Sequence, residues 1–383
     1  MNKIIGLSLF SNIGVAEAYM KELGIKIAIA NELLPDRAKF YKDVYPETDM
    51  ICGDITSECV KSEIIKKSKN AGVNFIIATP PCQGMSTAGK QNPEDVRNNL
   101  ILDAIEIINE LKPKYILLEN VPQQQNTKIN INGESILIPD FIENSLQNDY
   151  DINCEIVDAL DYGVPQMRNR LIFLMTRKEQ HLNWEFIADE EKSEPITLRE
   201  VIGHLPSLDP KIQGYTHEQI LQYFPDYDKK ANKGKRVSKW HFPPTHKLRH
   251  IECMKYTPEG RSALNNPIHY PKNPDGSKVK GYSNTYKRQN WDKPGYTITT
   301  YNGAVCSHDN VHPGRRLRKK ENGEIQYSDA RVLSIYELML VMSLPKDWPI
   351  PSWANESLIR HAIGEGIPPL IIKKLMENLL EIL

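Results

Sequence analysis

The chain has 383 residues, with 48 lysines and arginines against 49 aspartates and glutamates and a formal net charge of −1. With 40% hydrophobic and 25% charged residues, its composition is that of a globular protein of two or three domains and excludes disordered, collagen-like and coiled-coil chains. The longest apolar runs, such as Leu171–Met175, fall far short of the ~20 residues that a membrane-spanning helix needs, and Met1-Asn2-Lys3 opens no secretory cleavage pattern. Cys52, Cys59, Cys82, Cys154, Cys253 and Cys306 are scattered without a C-x-x-C pair. That pattern argues against a disulfide framework or a zinc site and fits a reduced cytoplasm.

In chain order, short apolar runs alternate with helical patterns through the first 175 residues. Strands are expected at Ile4–Leu9, Lys26–Ala30, Phe75–Ala78, Tyr115–Leu118, Ile152–Val157 and Leu171–Met175, with a further short one ending near Gly53. Helices are expected at Val15–Leu23, Pro35–Tyr45, Ser57–Lys69, Val96–Leu111 and Pro139–Asn148. This alternation predicts an α/β fold with a doubly wound, mostly parallel sheet covered on both faces. From residue 178 to 328 the rhythm gives way to Pro, Gly, Asn, Lys and Tyr, with turn signals such as Asn273-Pro274-Asp275-Gly276. That predicts a smaller, loop-rich second domain. Ser334-Ile335-Tyr336-Glu337 then reads as a capping box, and Pro368-Pro369 as the start of a last helix. The expected organisation is 1–177, 178–328, and 329–383 returning to the first domain.

Charge is unevenly spread. Between residues 229 and 261 ten lysines and arginines face only Glu252 and Glu259, a local charge of about +8. Arg315, Arg316, Arg318, Lys319 and Lys320 form a second cluster. One face for a polyanion and a solvated surface loop are both compatible with charge alone.

The carboxyl ends of the strands carry the polar residues of interest, where open α/β sheets bind ligands. Phe10-Ser11-Asn12-Ile13-Gly14 makes the first strand-to-helix turn, Glu32 ends the second strand, and Asp54 follows the third. A carboxylate at Glu32 suits a ribose diol, and Asp54 an adenine amino group. The absence of G-x-G-x-x-G spacing suits a nucleoside without phosphates; a tight turn flanked by surface carboxylates is the plainer alternative. Cys82 is presented after Pro80-Pro81 beyond the fourth strand, Glu119 closes the fifth, and Arg168 and Arg170 share one face of an extended segment. Each taken singly reads as an ordinary core or surface residue; together they form a constellation at one sheet edge.

These blocks resemble the cytosine-5 DNA methyltransferases. The resemblance runs in family order through Leu9–Gly14, Asn31-Glu32, Gly53-Asp54-Ile55, Pro80-Pro81-Cys82-Gln83-Gly84, Arg97-Asn98-Asn99-Leu100, Glu119-Asn120-Val121, Gln166–Arg170, Lys293–Thr299, Arg331–Pro345 and Gly364–Pro369. It implies a Rossmann-like domain binding S-adenosyl-L-methionine, released as S-adenosyl-L-homocysteine, with no metal. Phe10, Glu32, Asp54, Ile55 and Leu100 would hold the cofactor, with the Ser11–Gly14 turn beneath it.

The resemblance further implies that the Cys82 thiolate adds to cytosine C6, that Glu119 holds the ring nitrogen and amine, and that Arg168 and Arg170 orient base and carboxylate. The base would be everted from double-stranded DNA, with Gln83-Gly84-Met85-Ser86 in a closing loop and the basic middle segment as target-recognition domain. A monomer in the cytoplasm, on the nucleoid and genetically paired with a cognate restriction endonuclease, is the implied setting. A tRNA methyltransferase of the same family and a catalytically silent DNA-binding regulator are the alternatives. Asn12 and Val15 stand where the family usually has glycine, and Glu365 where it usually has asparagine.

Overall fold

The computed structural model describes residues 4–81, 96–131, 133–321 and 323–383. Seven strands form the main sheet: β1 (Ile5–Leu9), β2 (Lys26–Glu32), β3 (Asp49–Cys52), β4 (Phe75–Ala78), β5 (Tyr115–Asn120), β6 (Tyr150–Asp158) and β7 (Asn169–Arg177). Their order across the sheet is β3-β2-β1-β4-β5-β7-β6. The first five are parallel, whereas β7 runs antiparallel to both neighbours. The expected doubly wound, mostly parallel sheet is therefore what forms. The strand order reverses beside β1, so the ends of β1 and β4 open the crevice in which such folds bind ligands.

Side chains alternate between the two faces with period two. Ile76, Ile116, Leu118 and Phe173 point to one layer, built on helices α2 (Glu58–Ala71), α3 (Leu100–Leu111) and α4 (Ile138–Leu146), whereas α1 (Pro35–Val44) packs elsewhere through Phe40 and Val44. Phe75, Ile77, Leu117 and Leu174 point to the other, covered by α7 (Pro369–Glu381) through Ile371, Ile372, Leu375 and Leu379. Trp184 joins this layer and donates from Nε1 to the Leu375 carbonyl at 2.8 Å. The chain thus returns after more than 180 residues to complete the face it left open.

One expected helix does not form. Val15–Leu23 is a succession of turns, with Met20 N donating to the Glu17 carbonyl at 2.9 Å and Ala18 N to that of Val15 at 3.3 Å. The buried Glu17 carboxyl is drawn under β1 to accept from Ser8 Oγ, and Val15 sits against Gly366, where a Cβ would come within 2.9 Å. Those two anchorages are incompatible with a regular spiral.

The remaining elements pack from the side. Ser334 caps α5 (Ile335–Val341) as expected: Glu337 N donates to Ser334 Oγ at 3.2 Å and Ser334 N to the Glu337 carboxylate at 2.7 Å. This helix packs with Leu198, Trp291 and Ile298 from the middle segment against Ile13, Phe40 and Val44. A separate apolar cluster of Ile212, Ile220, Ile251, Met254, Tyr286 and Val311 lies within the middle segment. The Asn273–Gly276 turn closes as expected, Gly276 N donating to the Asn273 carbonyl at 3.0 Å.

Candidate active site

The turn after β1 is held in a strained backbone. Phe10, Asn12 and Gly14 all have positive φ (59°, 50° and 84°), a conformation Asn and Gly accept more readily than other residues. Gly14 admits no side chain, since a Cβ would lie 2.1 Å from the Tyr45 ring, whose hydroxyl donates to the Gly14 carbonyl at 2.6 Å. Asn12 works twice: its amide donates to Glu32 Oε2 at 2.9 Å, and its Nδ2 to the Ala362 carbonyl at 3.0 Å. Glycine supplies no such side-chain bond, so this departure ties the turn to α6 (Glu356–Glu365). The bulk of Val15 is accommodated by Gly366.

Glu32 is buried at the end of β2 and also accepts from Leu34 N at 3.0 Å. Burial raises its carboxyl above the usual range, opposed by the Leu34 amide, Arg37 and the Asn12 amide. Two backbone donors occupy only part of its acceptor capacity. Asn31 Nδ2 bridges to the Ile51 and Gly53 carbonyls at 3.0 and 3.1 Å, fastening the Gly53-Asp54 turn beside Glu32. Asp54 is exposed and accepts from Thr56, whereas Ile55 is buried in the core. Phe10 and Leu100 are half-buried against the same core cluster. Ser11 is occupied with backbone carbonyls, and the Ile13 side chain is wholly buried, so it has only backbone to offer a ligand. Leu33 and Leu34 stand exposed beside Glu32 (56% and 44%), an apolar pair that sequence reasoning missed. Apolar residues directly after a strand-terminal carboxylate were the available signal.

Deeper along the edge, Glu119 ends β5 and pairs with Arg170 of β7, Nε to Oε1 at 2.7 Å, both side chains 10% exposed. Burial raises the Glu119 carboxyl above its usual range against the opposing pull of Arg170 and then Arg168. Arg168 behaves differently from Arg170. Its guanidinium donates to the carbonyls of Ile298 (2.8 Å), Gly364 (3.0 Å) and Gly366 (2.8 Å), binding two distant segments. Cys82 lies outside the described residues, as do Gln83-Gly84-Met85-Ser86. The chain leading into it is placed: Asn120 Nδ2 donates to the Pro80 carbonyl at 3.2 Å, and Thr79 Oγ1 to the Phe10 carbonyl at 3.2 Å. Asn120 and the wholly buried Gln166, which accepts from Ile298 N at 2.9 Å, are positioning groups that the sequence offered only as parts of motifs.

The sequence model of C-5 cytosine-specific DNA methylases matches residues 4–381. The chain belongs to that family. Among curated relatives, this methylase is 40% identical over 381 residues to the Type II methyltransferase M1.HgaI of Avibacterium volantium, covering 98% of each chain. It is 25% identical to the Type II methyltransferase M.DdeI of Desulfomicrobium norvegicum, over 97% of this chain and 88% of that one. The methylase also shares its fold with a prophage-encoded protein of E. coli (TM-score 0.66, 20% identity, 99% of both chains). A Spodoptera frugiperda DNMT2 variant matches at a TM-score of 0.61 and 17% identity, over 99% of this chain and 100% of that one. The methylase is accordingly a DNA methyltransferase of the Type II restriction–modification kind. Among the described residues no helix is long and apolar enough to cross a membrane, and no cluster of metal-ligating side chains occurs.

Proposed function

We propose that the methylase transfers a methyl group from S-adenosyl-L-methionine to C5 of a cytosine everted from a specific duplex DNA sequence, through a covalent bond from Cys82 to C6. The observation that carries this reading is the buried Glu119–Arg170 pair, set at the sheet edge where Asn120 fastens the strand leading into Cys82.

The residues at the β1 and β2 ends fit a nucleoside. Glu32 keeps acceptor capacity for a ribose diol, Leu33 and Leu34 offer an apolar wall, Asp54 stands exposed, and Asn12 Oδ1 is buried without a partner among the described residues. Phe10, Ile55 and Leu100 would border the pocket, while Ser11, Asn12, Ile13 and Gly14 would line its floor. When bound, the sulfonium cofactor supplies an electrophilic methyl group.

Cytosine C5 is a weak nucleophile until the ring is activated. The Cys82 thiolate adds to C6, and the electron pair shifts toward C5 and N3. Glu119, whose carboxyl burial raises above its usual range, shares a proton with N3 as charge develops there and stabilises it. Arg170 fixes that carboxyl, and Arg168 fixes the segment carrying Arg170. After C5 takes the methyl group it loses its proton, and Cys82 leaves as thiolate.

Eversion costs a few kcal/mol of lost stacking and pairing. Residues 178–328 are proposed as the target-recognition domain that offsets it, between a catalytic domain of 1–177 and the returning segment 329–383. Lys229, Lys233, Lys235, Arg236, Lys239, Lys247, Arg261, Arg316 and Lys319 are exposed for phosphate contact. Lys230 and Arg315, by contrast, are committed to Asp209 and Asp329. A monomer acting on nucleoid DNA in the cytoplasm, protecting it from a cognate endonuclease, completes the proposal.

Duplex DNA carrying 5-fluorocytosine at the target should trap a covalent complex, because fluorine blocks the last elimination. Cys82→Ser should form none and lose methyl transfer while still binding S-adenosyl-L-homocysteine. A cross-link to another residue, or methyl transfer to tRNA in preference to duplex DNA, would overturn the reading.

A further inference from the structure

Glu365 is the last residue of α6, where the helix macrodipole places negative potential. A carboxylate there is disfavoured unless a cation answers it, and Arg37 does. Arg37, in the first turn of α1, reaches Glu365 Oε2 through Nη1 at 2.7 Å. His361, one turn back on α6, places Nε2 3.0 Å from Oε1. The Arg37 and Glu365 side chains are only 13% and 19% exposed, so the pair is more desolvated than a surface bridge and correspondingly less screened.

The two ends of this ion pair come from helices far apart in the chain, α1 and α6, whose apolar faces meet in one cluster through Phe40, Ile359 and Ile363. Arg37 lies five residues after Glu32, on the helix that follows β2, and stands within electrostatic reach of the Glu32 carboxylate. Glu365 lies 328 residues further on, and the backbone around it is fixed: Arg168 holds the carbonyls of Gly364 and Gly366, and Asn12 holds that of Ala362. One helix therefore follows the strand that carries the ribose candidate, and the other is anchored to both the β1 turn and the Arg168 segment.

We propose that Arg37 and Glu365 form an ionic latch joining the start of α1 to the end of α6 beside the cofactor site, making both positioning residues for the adenosine portion of the cofactor. This rests on the reading of Glu32 as the ribose-binding carboxylate. Arg37 acts on Glu32 through its charge, favouring the ionised carboxylate against the opposing charge of Glu365; Glu365 acts by holding Arg37.

The test is equilibrium binding of S-adenosyl-L-homocysteine to the full chain, by calorimetry, in Arg37→Gln, Glu365→Gln, the double variant and Glu32→Gln. Each single latch variant should weaken binding about tenfold, and the double variant no more than either alone, because the pair acts as one unit. In turnover with duplex DNA, the KM for the cofactor should rise about tenfold while kcat falls less than threefold. Arg37→Lys, which keeps the charge, should restore part of the affinity; it also guards against a variant that fails to fold. Unchanged affinity in both single variants, or losses that add in the double variant, would overturn the latch. If Glu32→Gln binds as tightly as the unsubstituted chain, the cofactor reading itself fails. If Glu32→Gln binds weakly and the latch variants bind normally, the latch alone fails.

Discussion

Glu119 and Arg170 illustrate how a single side chain is tuned by conflict. Burial pushes the carboxyl toward its neutral form, and the guanidinium 2.7 Å away pulls it toward the charged one. Burial outweighs the guanidinium, so the carboxyl takes up a proton more readily than an exposed glutamate does. Glu119→Gln keeps the size but gives up the proton-sharing carboxyl and the ion pair. Its kcat should fall about 10²-fold or more, the scale of losing one transition-state hydrogen-bond donor, while binding of S-adenosyl-L-homocysteine changes less than twofold. Single-turnover methyl transfer together with calorimetry checks both. Glu119 and Glu32 were legible in the sequence because a carboxylate directly after a run of strand residues has few places to go but the sheet edge. Arg168 was not, because its acceptors lie 130, 196 and 198 positions away, and no local pattern records them. The same distance explains why Glu365 stood out as a departure while its partner Arg37 did not.

Elements were legible where periodicity and end signals agreed. The Ser334–Glu337 box and the Pro369 start both mark real helices, because each satisfies exposed backbone donors or dispenses with one. The segment 15–23 departs from the expected helix where Glu17, a charged residue with no local signal for burial, lies buried beneath β1. Its second oxygen has no partner among the described residues, and burial raises the carboxyl to about 7. A raised carboxyl means that the folded chain holds a proton which the unfolded chain gives up. The stability this contributes is complete below about pH 4.5 and is lost as pH rises to about 7, a difference of about 3 kcal/mol. Glu17→Gln retains an acceptor for Ser8 Oγ and removes the titration. The variant should therefore be more stable than the unsubstituted chain above pH 7, by up to about 3 kcal/mol, with the gap closing below pH 4.5. Urea unfolding at pH 4, 6 and 8 measures it; a gap independent of pH would refute the assignment.

At the scale of the whole molecule, the middle segment and the sheet layers should answer acid in opposite ways. The middle segment joins the rest through a buried charge network. Arg331 pairs with Glu337 at 2.7 Å and Asp329 at 2.8 Å, and Arg288 donates to the carbonyls of Met254, His312, Ser328 and Asp329. These pairings were not legible from the sequence, in which Arg288 and Asp329 carried no signal, Arg331 opened a motif and Glu337 read only as part of a capping box. The Arg331 charge, joined at Asp329 by hydrogen bonds from Ser328 Oγ and Leu208 N, holds Asp329 far below the usual carboxylate range, and Arg331 holds Glu337 down at about 2, so both stay ionised well into acid. Nearby histidines do not. Burial lowers His246 and His312 to about 3, keeping both neutral in the folded chain, and His241 is lowered too. A depressed histidine stabilises the fold above its unfolded value and loses that contribution as pH falls, because the unfolded chain takes up the proton first. At pH 5, His246 and His312 each forfeit about 2 kcal/mol, about 4 kcal/mol together, while Glu17 in the sheet layers is still gaining. Hydrogen exchange at pH 5 and pH 7.5, corrected for intrinsic rates, should show residues 205–330 losing protection first while β1, β4 and β5 keep theirs. Replacing His246 with Gln, which removes one titration, should move the opening of that segment to lower pH. Simultaneous loss of protection in the sheet and the middle segment would show that the buried network makes them one cooperative unit, and would refute the separation argued from these histidines.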